Sequence, residues 1–260
     1  MHALEELIIY YNNCKKDDLY REVIDKILVN LTKLENATIY EWADMCFAST
    51  TTISRLSRKL GYDSFSEFKS ELIKSIENYS MLNQYVPVRE RKNYGGSEEA
   101  TYLGLVKKII EDFEASADDK MFEQYADLLE SHEDISIFTH GICFMEHHLQ
   151  EDLIMGGHHV NLLTVAVSQY EEIKRLKSGT LVLFTCPFVQ EKSIVCNMLE
   201  EIHRRGGILF LITDCSYLPY VKYADYVYSF DGYLNRVDDY WFSMFYSFLS
   251  MAYRRKYIEK

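Results

Sequence analysis

Apolar residues recur at helical spacing through the first third of the chain, then give way to short apolar runs set between helical stretches. Leu19, Val23, Ile27, Leu31 and Leu34, with Leu28 beside them, form one amphipathic stripe and predict a helix over Leu19–Leu34. Thr38 follows as an N-cap before Ile39–Cys46, with Glu41 three residues on to complete a capping box. Ser49 is a second cap, opening the run TTISRLSRKL that Gly61 ends. Ser64 caps a further helix carrying Phe65, Phe68, Leu72 and Ile76.

The pattern breaks over 80–100, where a Pro, a Gly pair and a charge run interrupt all periodicity. This stretch reads as a linker between a helical domain, 1–79, and a second domain, 101–260. The second domain opens with helices near 101–116 and 119–131. Strand-like runs follow at Ile135–Thr139, Val160–Thr164, Thr180–Thr185, Ile208–Thr213 and Tyr226–Phe230. Helical stretches at about 143–156, 168–177, 190–205 and 217–222 separate them, and a long aromatic helix, 238–256, closes the chain. Strands alternating with helices predict a five-stranded parallel sheet covered on both faces. No G-x-G-x-x-G follows any strand, which leaves the usual dinucleotide fingerprint unsupported.

The helix opened by Ser49 has two distinct sides. Ile53, Leu56 and Leu60 share its inner face, while Thr51, Arg55 and Arg58 lie opposite, flanked by Ser54 and Lys59. Short hydroxyls near the start allow close approach to base edges, and arginine can bond guanine twice. A cap, a three-residue turn and a second cap fit a helix-turn-helix with this helix in the major groove, although an ordinary bundle shows the same periodicity. Trp42 and Ala43 are expected to face inwards, the small Ala43 permitting a close crossing. The expected DNA-contacting set is Thr38, Ser49, Thr50, Thr51, Thr52, Ser54, Arg55, Arg58, Lys59 and Lys69.

Composition narrows the picture. A net charge of −12 over 260 residues argues against indiscriminate nucleic-acid binding. Yet Ser49–Tyr62 holds Arg55, Arg58 and Lys59 and no acid, which suits a reader of one duplex site. No apolar run is long enough to span a membrane, and the first residues lack a secretory pattern, so a cytoplasmic location is expected. The cysteines at 14, 46, 143, 186, 196 and 215 form no C-x-x-C pair and read as free thiols.

The run TIYEWADMCFASTTTISRLSRKLGYDSFSEFKSEL resembles the N-terminal domain of the RpiR/MurR family of bacterial regulators. The likeness rests on Ala43, Ser49, Thr52–Arg55, Arg58–Tyr62, Phe65 and Glu67–Lys69. One departure stands out: Phe47 occupies the turn position where the family usually has Gly. The resemblance implies a helix-turn-helix domain followed by a flavodoxin-like sugar-isomerase-type (SIS) domain that senses phosphorylated sugars. It also implies a homodimer or tetramer reading a pseudo-palindromic operator near carbohydrate-metabolism genes. Weaker likenesses continue downstream: Thr139–Cys143 for the family's G-x-G-x-S loop, Gly157–Val160 for the start of the second strand, and Ser216 with Ala224-Asp225 later. Effector contacts are then expected from Gly141, Cys143, Thr185, Cys186, Gln190 and Ser216.

Where the family carries S-x-S-G-x-T, this chain has Thr185-Cys-Pro-Phe-Val-Gln190. Pro187 removes an N–H donor and Phe188 adds bulk, so phosphosugar binding is expected to be lost, weakened or shifted to another ligand. A domain that only dimerises, or a sugar-phosphate isomerase, remain as alternatives, and no enzyme activity and no cofactor are expected. Cys143, His147 and Glu151 share one helix face near His148, His158 and His159, but surface histidines explain them better than a metal. Cys143 lacks the oriented base that a nucleophile requires. The aromatic run Tyr240–Tyr257 is too apolar around its circumference for an exposed helix and is expected in a core or a subunit interface.

Overall fold

The computed structural model describes residues 3–79, 84–87, 97–139, 144–187, 192–215, 221–232 and 236–259. Met1–Met81 with Val165–Ser168 form one compact unit, and Leu82–Thr164 with Gln169–Lys260 form the other.

The first unit holds helices α1 (Ala3–Asn13), α2 (Leu19–Val29), α3 (Leu31–Leu34), α4 (Ile39–Met45), α5 (Thr50–Lys59) and α6 (Phe65–Glu77). The stripe over Leu19–Leu34 is therefore two helices rather than one. Asn30 breaks them: its backbone N–H turns back to the Ile27 carbonyl and its side-chain amide bonds the Lys26 carbonyl at 2.9 Å. Leu19, expected in the buried stripe, is 63% exposed. The sequence reading also passed over α1, whose Ala3 and Leu7 join the core while its Glu6 accepts a 2.8 Å hydrogen bond from the Tyr62 hydroxyl. Trp42 lies at the centre of this core, fully buried against Phe65 and Phe68, with its indole N–H on the Leu34 carbonyl at 3.1 Å. An indole in such a position contributes area and needs its one donor satisfied, and both conditions are met.

The second unit runs α7 (Glu98–Ser116), α8 (Asp119–Glu130), β1 (Asp134–Phe138), α9 (Phe144–Met155), β2 (His159–Leu163), α10 (Ala166–Arg175, from Gln169 on), β3 (Leu181–Cys186), α11 (Lys192–Arg204), β4 (Ile208–Thr213), β5 (Tyr226–Ser229) and α12 (Asp238–Tyr253). The five strands form one sheet in the order β2-β1-β3-β4-β5, every pair parallel. β3 and β4 are buried almost throughout, as a central parallel strand covered on both faces must be. One face packs on α7, α8, α9 and α12, and the other on α10 and α11.

Two expected elements differ. The stretch 217–222 yields a short 3-10 turn at Val221–Tyr223, its earlier residues lying outside the described set. The closing helix ends at Tyr253 and widens into a π-helical turn, Arg254–Ile258. Most of the aromatic crowd of α12 is core: Trp241 stacks on Phe230 at 4.5 Å, and Phe245 meets Tyr228 at 4.3 Å.

Candidate nucleic-acid interface

α4 begins at Thr38, whose hydroxyl accepts from the Glu41 N–H while the Glu41 carboxylate takes the Thr38 N–H, the reciprocal box that its sequence spelled. α4 ends in a Schellman turn. The Ala48 N–H bonds the Ala43 carbonyl and the Phe47 N–H bonds that of Asp44, which requires a left-handed residue at 47. Phe47 adopts it at φ 51°, so the turn is built without a glycine, at a strain of about 1–2 kcal/mol.

α5 then starts from Ser49, whose Oγ accepts from the Thr52 N–H at 3.1 Å and lies 2.9 Å from the Thr52 hydroxyl. Ile53, Leu56 and Leu60 are buried as the stripe predicted. Ser57 is buried too, its hydroxyl returning to the Ile53 carbonyl at 3.1 Å. Thr51, Arg55 and Arg58 are exposed together on the opposite face, with Thr50 and Ser54 half-buried at its edges.

Besides the capping hydroxyls of Thr38, Ser49 and Thr52, two further expected contacts have other engagements. The Lys59 ammonium sits 5.7 Å from the Tyr10 ring and 5.5 Å from the Tyr20 ring, within cation–π range of both. Lys69 donates to the Ala37 carbonyl at 2.7 Å, tying α6 to the chain just before the Thr38 cap. Phe47 also borders an open cleft with Ser49 and Thr52, lined by the cations Lys16, Arg21 and Lys26 and the acids Glu22 and Asp25, with Arg21 held on the Tyr11 carbonyl and ring. None of these cations was foreseen, because the loop and helix that carry them lie outside the helix-turn-helix pattern.

In the second unit, Thr185 and Cys186 both end β3 and are both buried. The Thr185 hydroxyl is 2.7 Å from that of Tyr246, so it is engaged within the protein. Gly141, Cys143, Gln190 and Ser216 lie outside the described residues. Three groups gather at the carboxyl ends of β1 and β2: Thr139, which opens the likeness to the G-x-G-x-S loop, and two that the sequence did not single out, Glu146 and Gln169. Thr139 donates to the buried Glu146 at 3.4 Å, and the Gln169 amide donates to the carbonyls of Thr139 and Leu163, each at 2.8 Å. Burial pushes the Glu146 carboxyl up to about 7. Among the described residues, Gln169 Oε1 is buried without a hydrogen-bond partner. The signal for Glu146 was faint, a single acid in the first turn of a helix.

The histidines are dispersed. His147 lies 3.8 Å from Glu151 at the surface, His159 lies 3.5 Å from Asp134, and His158 bonds the Tyr253 hydroxyl and the His132 carbonyl. Among the described residues no group of three or more His, Cys, Asp or Glu side chains could hold a metal. No described helix is long and apolar enough to cross a membrane.

Residues 1–79 match the family described as the helix-turn-helix domain, rpiR family. No curated protein sequence gives a significant match. Among solved structures, the chain resembles the Vibrio vulnificus NanR protein complexed with ManNAc-6P, at 16% identity and a TM-score of 0.51, over 99% of this chain and 93% of that one. It also resembles the sugar isomerase domain of an RpiR transcription factor from Sphaerobacter thermophilus, at 15% identity and a TM-score of 0.50, over 60% of this chain and 89% of that one. The chain therefore carries a helix-turn-helix domain of the rpiR family over residues 1–79, followed by a domain with the five-stranded fold of a sugar isomerase domain.

Proposed function

We propose that this protein is a transcription regulator that reads duplex DNA with α5 and answers to a phosphorylated sugar or a related metabolite through its second domain. The observation that carries the DNA reading is the exposed face of Thr51, Arg55 and Arg58 on a capped helix whose other face is wholly buried. In this reading Arg55 bonds a guanine edge and Arg58 contributes to the grip on phosphate. Lys59 contributes less, because its ammonium already faces two tyrosine rings. Two copies would span a pseudo-palindrome, and the protein would act in the cytoplasm without turnover of its ligand.

The test is enrichment of duplexes from a random pool by the full-length protein. Arg55→Ala should relax base preference and weaken binding by about 1–3 kcal/mol. Arg58→Ala should lower the salt slope by about one across all sequences. Unchanged binding in both variants would remove α5 from the groove.

For the effector, the NanR structure was solved with ManNAc-6P, which makes phosphosugars the first ligands to try. Thr185 is a poor phosphate donor here, since Tyr246 already engages its hydroxyl and Pro187 has no N–H. Calorimetry with a panel of phosphosugars, ManNAc-6P included, should give weak binding or none. A micromolar complex lost in Thr185→Val would restore the phosphate loop to its usual role. Measurable isomerisation of any panel member would instead favour an enzyme.

A further inference from the structure

Among the described residues the same helix stop is built four times. Schellman hydrogen bonds close α4, α5, α9 and α11, with residues 47, 61, 157 and 206 at the left-handed position. Three of the four are glycine, at φ 94°, 96° and 77°, and the fourth is Phe47 at φ 51°. Glycine accepts this geometry freely, whereas an aromatic side chain meets a clash between its Cβ and the carbonyl oxygen. Strain of this kind is sometimes offset by packing, but the Phe47 side chain is 88% exposed. Neither the backbone nor the core of its own domain accounts for phenylalanine there.

Its position suggests what does. Phe47 stands two residues before Ser49, the N-cap of α5, and so at the end of that helix which a helix-turn-helix inserts first into the major groove. A phenyl ring has no hydrogen bond to offer a base edge. The apolar group that the major groove presents is the thymine 5-methyl.

We infer that Phe47 is a specificity-determining residue, packing its ring on a thymine 5-methyl group beside the bases met by Thr51 and Arg55. The inference rests on the DNA reading proposed above. It assigns the readout of one base pair to an apolar contact from the turn, in addition to the polar contacts from the helix. Because the ring neutralises no phosphate, its share of the affinity is independent of salt.

The experiment uses the full-length protein and the duplex it enriches from a random pool. Each thymine of that duplex is replaced singly by deoxyuridine, which lacks only the methyl group. Binding is measured by fluorescence anisotropy for the wild type, Phe47→Gly and Phe47→Asn. Both substitutions suit a left-handed residue, so thermal midpoints at or above the wild type would verify folding. One thymine in each half-site should weaken wild-type binding roughly threefold to tenfold when its methyl is removed. The same replacement should cost the two variants nothing further, and the salt slope should be identical in all three proteins.

Variants that bind the enriched duplex as tightly as the wild type would overturn the inference. So would variant and deoxyuridine losses that multiply, since the ring would then be touching something other than the methyl. Failure of the wild type to enrich any sequence overturns the DNA reading itself, and it shows at the first step, before any variant is compared.

Discussion

Glu146 is an acid in an apolar setting. Desolvation raises its carboxyl to about 7 from an ordinary 4.5, against weaker opposing hydrogen bonds from backbone and from Thr139. A carboxyl that holds its proton more tightly folded than unfolded favours the fold while protonated. That contribution is complete below pH 4.5 and is lost as pH rises through about 7. Thermal midpoints measured from pH 4.5 to 8 should therefore fall for the wild type through this window, and the fall should be shallower in Glu146→Gln. Parallel profiles would show that another group controls it. Such residues were hardly legible in the sequence, where Glu146 is one acid among forty acidic residues. Its character comes from the neighbours that the sheet brings to it. Phe47 was legible for the opposite reason: its departure from glycine is a property of one position, and the turn around it is local.

Among elements, what could be read were the features set by a few adjacent residues. The caps at Thr38 and Ser49 appear where their sequences place them, because capping involves only three or four consecutive residues. The order of strands and helices was readable from period alone, and most boundaries moved by one or two residues, the start of α7 and the end of α12 by three. The break at Asn30 was hidden because an apolar stripe continues across it, and α1 was hidden because its buried face includes an acid paired with Tyr62, 56 residues away. Long-range fits of this kind recur where α9 ends. A Cβ at Gly156 would collide with the Tyr253 hydroxyl, which also reaches His158 at 2.8 Å and Glu130 at 2.9 Å. Gly156→Ala should destabilise the second unit by about 1–3 kcal/mol. Combined with Tyr253→Phe, which removes the colliding oxygen, the cost should be less than the sum of the two single changes in chemical denaturation. Strict additivity would mean that the two residues do not meet.

For the whole molecule, each unit carries its own core, one gathered on Trp42 and Phe68 and the other on Phe245 and its aromatic neighbours. Heat should therefore unfold the chain in two calorimetric steps. Phe245→Ala, which deletes a fully buried ring, should lower one step by about 3–5 kcal/mol and leave the other in place. A single transition moved by either core's mutation would mean that the two stand or fall together.

The molecule has two tryptophans, and they fall one in each unit. Trp42 donates to a backbone carbonyl, while Trp241 donates to the Tyr228 hydroxyl at 2.8 Å and lies flat on Phe230. Excitation at the red edge of the indole band thus interrogates two chemically different chromophores. Trp42→Phe would leave a single emitter in the second unit, and the colour of its light would report the packing of that core without any attached dye.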